Sequence, residues 1–338
     1  MSAVTPELDA MISRAAELLR NGRLVAFPTE TVYGLGADAT NSQAVGRIFA
    51  AKGRPATNPL IVHVPDAGVA RRYVKQWPQT AQKLAETFWP GPLTLVLPKT
   101  EAIVPAVTAG LPSVGLRVPD HPLALALLRR FNGPIAAPSA NRANRVSPTT
   151  AEHVRSELGD AVDLILDGGP CRVGIESTVL NLTSDPPTIL RPGGVSREQI
   201  EKIIGPVRLR SDIVEDQPAA SPGLGSVHYA PNARAWRFKS EQAGPFLSSL
   251  NDAPSLAALL LNPSFVPMFK TRMDRVILMP AAPREYARRL YSALREADKP
   301  PVTDILIELP PENAQWTAVR DRLYRAARPL QDMPDRYC

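Results

Sequence analysis

The first part of the chain mixes two kinds of hydrophobic spacing. Over Glu7–Arg20, apolar side chains recur every three or four residues, which is typical of one helix face, and Asn21-Gly22 then ends the helix. The same spacing predicts helices at 42–51, 81–88, 122–131, 150–158 and 196–204. Continuous apolar runs predict buried strands at 24–27, 60–64, 93–97, 114–118, 135–137 and 164–166. Because strands and helices do not strictly alternate, we expect an α/β domain with a twisted, mixed sheet.

The pattern stops over residues 206–231. Within them the stretch 212–223 is acidic and aperiodic and contains proline and glycine, as linkers do. Beyond them, apolar runs predict strands at 235–238, 255–261, 276–279 and 304–309, with helices at 283–297 and 316–327. The sequence therefore predicts a domain over residues 1–205, a linker over 206–231, and a second, smaller α/β domain over 232–338.

Composition excludes several classes of protein. Of 338 residues, 44% are hydrophobic, which is enough for a buried core. No apolar stretch reaches the roughly 18 residues of a membrane helix, and the N-terminus shows no signal sequence. Cys171 and Cys338 are too few for a disulfide scaffold or a cysteine zinc site, and the four histidines lack ligand spacing. We expect a soluble, cytoplasmic protein with no metal held by its side chains.

The net charge of +6 is concentrated in the first part of the chain, where residues 1–210 hold 23 basic and 18 acidic residues. This excess is compatible with an anionic ligand and equally with ordinary surface charge. Proline is unusually frequent, with 36 residues scattered through apolar segments rather than gathered in a tract.

Candidate phosphate-binding motifs are individually weak. The stretch 34–39 fits G-x-G-x-x-A, but the acidic residue expected about 20 positions later is replaced by basic Lys52-Gly53-Arg54, and no P-loop occurs. Lys52 and Arg54 suit an oligophosphate, or they complement the dipole at a helix end. The small, polar stretch 137–142 suits a ligand loop or a plain turn.

Two polar residues interrupt predicted strands. Arg117 lies in an apolar strand, so its guanidinium requires either a structural carboxylate or an anionic substrate. His63 raises the same question, and a satisfied core histidine is the commoner outcome.

Together these segments resemble the two-domain threonylcarbamoyl-AMP synthases, which have an N-terminal YrdC-type domain. The resemblance implies a twisted mixed-sheet YrdC-type domain followed by a smaller Rossmann-like α/β domain. The stretches that carry it are Pro28–Gly36, Lys52-Gly53-Arg54-Pro55, Asn58-Pro59-Leu60, Trp89–Thr94, Arg117-Val118-Pro119, Ala137–Asn141, Glu176–Val179, Leu190–Gly193, Ser221-Pro222-Gly223, His228–Pro231, Tyr286-Ala287, Leu294-Arg295-Glu296 and Asp321–Ala327.

The family implies a nucleotidyltransferase that converts ATP, L-threonine and bicarbonate to threonylcarbamoyl-AMP and pyrophosphate, with Mg2+ accompanying ATP. The adenylate would then pass to partner proteins that modify tRNA position 37, and direct tRNA contact is left open. No membrane partner is implied.

The resemblance also implies residue roles. Lys52 and Arg54 would bind the triphosphate and stabilise charge at the α-phosphate. Further ATP contacts would come from Asn58, Ser113, Ser139, Asn141, Ser147, Arg191 and Tyr229, the last as part of a linker lid. Arg117 would pair with the threonine carboxylate, and Thr31, His63, Ala137 and Ser177 would line the threonine pocket. Leu224–Val227 lacks the basic residues usual in the family's linker, which puts phosphate contacts there in doubt.

The main alternative is an RNA-binding module without catalysis. The sequence offers 6% aromatics, no aromatic RNA-binding strand and no Lys/Arg run longer than two. A second alternative, a carbamoyl-transfer enzyme of hydrogenase maturation, would require cysteine-rich zinc modules that two cysteines cannot supply.

Overall fold

The computed structural model describes residues 5–210, 228–250 and 255–334. The chain divides into one unit of Met1–Ala143 with Ser147–Leu224 and a second of Asn144–Val146 with Gly225–Cys338. Most of the predicted linker, including Ser221-Pro222-Gly223 and Leu224–Val227, lies outside the described residues.

The first unit combines helices with a mixed sheet. Its helices are α1 (Pro6–Arg20), α2 (Ser42–Lys52), α3 (Ala67–Arg71), α4 (Gln79–Phe88), α5 (Pro105–Thr108), α6 (Pro122–Phe131), α7 (Ala151–Leu158) and α8 (Arg197–Ile204). Its strands are β1 (Val25–Phe27), β2 (Gly34–Asp38), β3 (Ile61–His63), β4 (Leu93–Pro98), β5 (Ser113–Arg117), β6 (Ile135–Ala136), β7 (Leu164–Ile165), β8 (Thr178–Asn181), β9 (Thr188–Arg191) and β10 (Arg208–Leu209). Their order in the sheet is β10-β9-β8-β4-β5-β3-β6-β2-β1-β7, with parallel and antiparallel pairs.

The second unit has a parallel sheet flanked by helices. Its helices are α9 (Ala243–Ser249), α10 (Val266–Lys270), α11 (Pro283–Ala297) and α12 (Thr317–Ala326). Its strands are β11 (Arg234–Phe238), β12 (Leu256–Leu260), β13 (Arg275–Leu278), β14 (Asp304–Glu308) and β15 (Arg328–Pro329), ordered β13-β12-β14-β11-β15. The predicted fold class, a mixed-sheet α/β domain with a smaller parallel α/β domain, is confirmed.

Strand β2 is not among the strands predicted from the sequence. Gly34–Asp38 forms this strand, which is paired with β1 and β6. A Cβ on Gly36 would stand 2.9 Å from both Ile135 and Phe27, so glycine permits this close strand packing. The G-x-G-x-x-A match therefore lies along a strand, not at a strand-to-helix turn, and does not form a dinucleotide fingerprint.

Strands β8 and β9, in the polar stretches around 178 and 190, are likewise not predicted from the sequence. Thr178–Asn181 and Thr188–Arg191 form the antiparallel pair β8 and β9, and β8 also runs parallel to β4. These strands are only four residues long, which left too few positions for a recognisable apolar pattern.

The two faces of this sheet differ in character. On one face Val62 pairs with Leu116, which pairs with Leu95, and all three belong to the main core. The next residues along each strand point to the other face, because side chains alternate along a strand. There Ile61 lies opposite Gly115, and His63 opposite Arg117. The polar candidates on β3 and β5 therefore share one face.

None of the helices in the described ranges has the length and hydropathy to cross a membrane.

Replacing Leu116 by alanine should lower the free energy of unfolding by about 2–5 kcal/mol, because the truncated side chain is fully buried and leaves a cavity. Leu209, 39% exposed on β10, provides the control, and its replacement by alanine should change stability by less than about 0.5 kcal/mol. Urea unfolding followed by circular dichroism measures both. Equal losses in the two variants would contradict the core assignment.

Candidate active site

The Arg117 guanidinium lies at the centre of a buried polar cluster. Its Nη2 donates to Thr31 Oγ1 at 3.0 Å, and its Nε donates to the Gly91 carbonyl at 3.2 Å. Nη2 also lies 2.7 Å from Glu30 Oε1, as an ion pair without hydrogen-bond alignment. The exposed fractions of Arg117 and Glu30 are 4% and 2%. Of the two partners that the sequence allowed for Arg117, a structural carboxylate or an anionic substrate, the structure shows the carboxylate of Glu30.

Glu30 is the residue that sequence reasoning missed. Its second oxygen, Oε2, accepts a hydrogen bond from the Asp120 amide at 2.9 Å, so the carboxylate is held from both sides. The available signal was its place between Thr29 and Thr31 in a stretch that carries the family resemblance, together with the need of Arg117 for a partner.

His63 lies beside Arg117 on the same sheet face and is almost fully buried. Its ring meets the edge of Phe27 at a centroid distance of 6.0 Å, and Nδ1 has no hydrogen-bond partner in the described part of the chain. Burial, and then the positive charge of Arg117, lower the pKa of His63 to about 3. The imidazole is therefore neutral at physiological pH.

Lys52 closes helix α2, where Gly53 takes the left-handed conformation (φ 59°) that ends the helix. Its ammonium group donates to the carbonyls of Ser139 and Asn141, so the side chain ties the end of α2 to the 137–142 loop. Burial, and then the nearby Arg54 charge, hold the pKa of Lys52 well below its usual value, while Glu157 acts in the opposite direction.

Arg54 follows Lys52 and folds back on its own loop. Its Nε donates to the Asn58 carbonyl at 3.4 Å and its Nη2 to the Pro59 carbonyl at 3.2 Å. Only 9% of Arg54 is exposed, against 3% of Lys52. Two cations are thus buried within three residues of each other in sequence, oriented by backbone oxygens.

Another polar group joins Arg191, the last residue of β9, to Ser177, which directly precedes β8. Arg191 donates to the Ser177 carbonyl at 2.9 Å and to its Oγ at 3.2 Å, and that hydroxyl lies 2.8 Å from Thr94 Oγ1. Nearby in sequence, Glu176 accepts a hydrogen bond from Ser147 at 2.7 Å. The structure therefore joins Ser177, predicted for threonine, to Arg191, predicted for ATP.

Ser113 lines a small, partly open pocket on the face of the sheet that carries His63 and Arg117. A Cβ on Gly115 would come within 3.0 Å of Thr94 and 3.7 Å of Ile61, so the glycine keeps the floor of this pocket low. The lining residues are Pro59, Leu60, Ile61, Val96, Thr108, Leu111, Ser113, Val114, Gly115 and Val179. Ala137 contributes to the same sheet region through its amide, which donates to the Ile61 carbonyl at 2.9 Å.

Tyr229 belongs to the second unit. Its ring stacks on Tyr291 at a centroid distance of 5.7 Å and lies 5.3 Å from the Arg322 guanidinium. The lid assigned to residues 206–231 stays a prediction.

The predicted site residues of the first unit thus fall into small groups. Thr31, His63 and Arg117 share one cluster; Lys52, Ser139 and Asn141 share another; Arg54 contacts Asn58; Ser177 contacts Arg191; Ser147 contacts Glu176; and Ser113 lines the pocket.

Comparison with known proteins gives two family matches in sequence order. Residues 17–193 match a family described as telomere recombination, which includes the YrdC-type domains, and residues 195–328 match the threonylcarbamoyl-AMP synthase C-terminal domain.

Individual relatives align over most of their length. The Bacillus subtilis threonylcarbamoyl-AMP synthase is 43% identical over 331 residues, covering 96% of both chains. The Pyrococcus abyssi enzyme of the same name is 42% identical over 324 residues, covering 93% of both. The crystal structure of P. abyssi Sua5 complexed with L-threonine matches with a TM-score of 0.86 and 40% identity, covering 94% of this chain and 96% of that one.

These relatives are named as synthases, so the prediction of an enzyme is confirmed and the non-catalytic RNA-binding alternative is disfavoured. Since both domain families match and full-length relatives share about two-fifths of their residues with it, the chain belongs to the two-domain threonylcarbamoyl-AMP synthase family.

Proposed function

We propose that the protein condenses L-threonine, bicarbonate and ATP into threonylcarbamoyl-AMP and pyrophosphate. The observation that carries this proposal is the buried cation pair of Lys52 and Arg54, next to a loop of small and polar residues. Two cations removed from water are stabilised by an anion, and a triphosphate supplies several charges at once. The presence of L-threonine in the crystal structure of the P. abyssi relative supports the amino-acid substrate.

The triphosphate is bound by Lys52 and Arg54. The Lys52 ammonium has three donors, of which two are directed at loop carbonyls, so the third is directed at a phosphate oxygen. The Arg54 guanidinium, held by backbone oxygens of its own loop, offers a planar fork to the same ligand. The remaining nucleotide contacts come from Asn58, Ser139, Asn141, Ser147 and Arg191, and the base or ribose lies at Ser113 above the low floor at Gly115.

Threonine binds through its carboxylate to Arg117. Glu30 and Thr31 fix the guanidinium through the same nitrogen, Nη2, which leaves the other terminal nitrogen directed at the substrate. Neutral His63 lines the pocket without adding charge beside Arg117, and Ala137 and Ser177 complete the wall.

In the reaction, the threonine amine attacks CO2 derived from bicarbonate, and a carbamate forms as the amine loses a proton. A carbamate oxygen then attacks the α-phosphorus, and the bond to pyrophosphate breaks. Lys52 and Arg54 stabilise the charge that develops on the phosphate oxygens, so catalysis consists of positioning and electrostatics.

Mg2+ enters with the nucleotide. In the described residues no group of three histidine, cysteine or acidic side chains could hold a metal ion by itself. The phosphate oxygens of ATP would therefore ligate the ion, and no step of the reaction is assigned to it. The adenylate passes to proteins that transfer the threonylcarbamoyl group to tRNA, in the cytoplasm.

The function is tested by measuring pyrophosphate release with ATP, bicarbonate and each amino acid in turn. We expect release to require all three substrates and to be highest with L-threonine. Release that persists when threonine is omitted would contradict the proposal, and tight RNA binding without turnover would favour the RNA-binding alternative.

Replacing Lys52 by methionine should lower threonine-dependent pyrophosphate release by about 100-fold or more, since a preorganised charge at the α-phosphate is lost. Lys99→Met is the matched control, because Lys99 is also buried and also donates to a backbone carbonyl, that of Ile103, at 2.9 Å. The control should keep nearly wild-type turnover. Equal activity in the two variants would remove Lys52 from the phosphate site.

Because of His63, the free energy of unfolding should decrease as the pH falls below 6.5. Its pKa falls from 6.5 in the unfolded chain to about 3 in the folded protein, so the folded state resists protonation. The stabilisation is complete above pH 6.5 and is lost as the pH falls toward 3; at pH 5 the loss is about 2 kcal/mol. Free energies of unfolding at pH 7 and pH 5 should therefore differ more in the wild type than in His63→Asn. An identical difference in both proteins would show that His63 accepts a proton in the folded state.

A further inference from the structure

The two carboxylate oxygens of Glu30 are held differently. Oε2 accepts a hydrogen bond from the Asp120 amide at 2.9 Å. Oε1 lies 2.7 Å from Arg117 Nη2, but it accepts no hydrogen bond from any group in the described part of the chain. Because Glu30 is only 2% exposed, leaving this oxygen without a donor is costly. A bound molecule that donates a hydrogen bond to Oε1 would remove that cost.

The loop around Glu30 keeps this oxygen in one orientation. Thr29 Oγ1 accepts hydrogen bonds from the amides of Thr31 and Val32, at 3.1 and 3.2 Å, which closes a tight turn across Glu30. The Val173 amide donates to the Glu30 carbonyl at 2.7 Å. Since the backbone is bonded on both sides and Oε2 is fixed as well, the carboxylate has little freedom to turn Oε1 elsewhere.

The Arg117–Glu30 pair presents a cation and an anion at a spacing close to that of the two charged groups of an α-amino acid. The facing nitrogen and oxygen atoms of the pair are 2.7 Å apart. In an amino acid, N–Cα and Cα–C bonds of about 1.5 Å each place the ammonium nitrogen about 2.5 Å from the carboxylate carbon. A zwitterion can therefore set its carboxylate on the guanidinium and its ammonium on Oε1 at the same time. Each buried charge then faces an opposite charge.

We propose that Glu30 contacts the substrate directly, with Oε1 accepting a hydrogen bond from the α-ammonium group of threonine while Arg117 binds the α-carboxylate. This inference rests on the proposed assignment of Arg117 to the threonine carboxylate. It makes the amino group a second determinant of recognition, because a ligand without it leaves Oε1 without a donor and sets its own carboxylate near that of Glu30. The contact also fixes the position of the nitrogen that attacks CO2 in the proposed reaction.

The test compares L-threonine with (R)-3-hydroxybutanoate, which keeps the carboxylate, the hydroxyl and the methyl group but lacks the amine. In equilibrium titrations of the full-length wild type, threonine should bind about 10- to 100-fold more tightly, as expected for one charge-assisted hydrogen bond. In Glu30→Gln the affinity for threonine should fall to about that of the analogue, because the negative charge beside the ammonium is lost. The affinity for the analogue should not fall.

Glu308→Gln is the matched control. Glu308 is as deeply buried as Glu30, and its carboxylate also accepts hydrogen bonds from backbone amides, those of Leu261 and Asn262 in the second unit. This variant should leave both affinities unchanged. If Glu30→Gln is too unstable for titration, Glu30→Asp gives the same comparison, because it keeps the charge but withdraws it by one carbon. Its loss of affinity should again be larger for threonine than for the analogue.

Equal losses of affinity for the two ligands in the Glu30 variants would overturn the proposal, because they would show that Glu30 only orients Arg117. Unchanged affinity for threonine in these variants would overturn it as well. In both cases, threonine-dependent pyrophosphate release by the wild type would leave the proposed function standing. A wild type that binds neither ligand would instead refute the proposed function, and the ammonium contact with it.

Discussion

The candidate site depends on keeping positive charge away from water. Lys52, Arg54, Arg117 and Arg191 are 3%, 9%, 4% and 3% exposed. Buried charges are costly unless polar groups surround them, and here backbone carbonyls of the loops supply most of those groups. Each loop conformation is therefore tied to the cation that it holds, and the charges and the shape of the site are set together.

The sheet makes this arrangement possible by separating its two faces. Val62, Leu95 and Leu116 build the core on one side, so the neighbouring positions on the same strands are available for His63 and Arg117 on the other. Glycine at 115 then leaves space where a side chain would fill the pocket. A fold that buried both faces in apolar residues could not present these groups.

The sequence was informative where local patterns are strong. Helices such as α6 and α11 were predicted at the residues where they occur, since apolar periodicity and a proline at the first turn define them. Strand β2 was missed because its glycines weaken the strand signal, and β8 and β9 were missed because they are short. For Arg117 the requirement of a partner followed from burial, but Glu30 could not be chosen, since only the folded chain brings the two together. The grouping of the site residues is a structural observation, while their roles remain predictions.

The discontinuous second unit has a consequence for the order in which the protein matures. The partners of Arg145 and Val146 lie 86 and 149 residues later in the chain. At ribosomal speeds of about 5–20 residues per second, the second of these partners emerges roughly 7–30 s after the loop that it holds. The strands of the first unit, which end at Leu209, are all synthesised before Arg295, so its sheet can form before Val146 meets this partner. The hydrogen bonds of residues 144–146 are therefore completed late in synthesis.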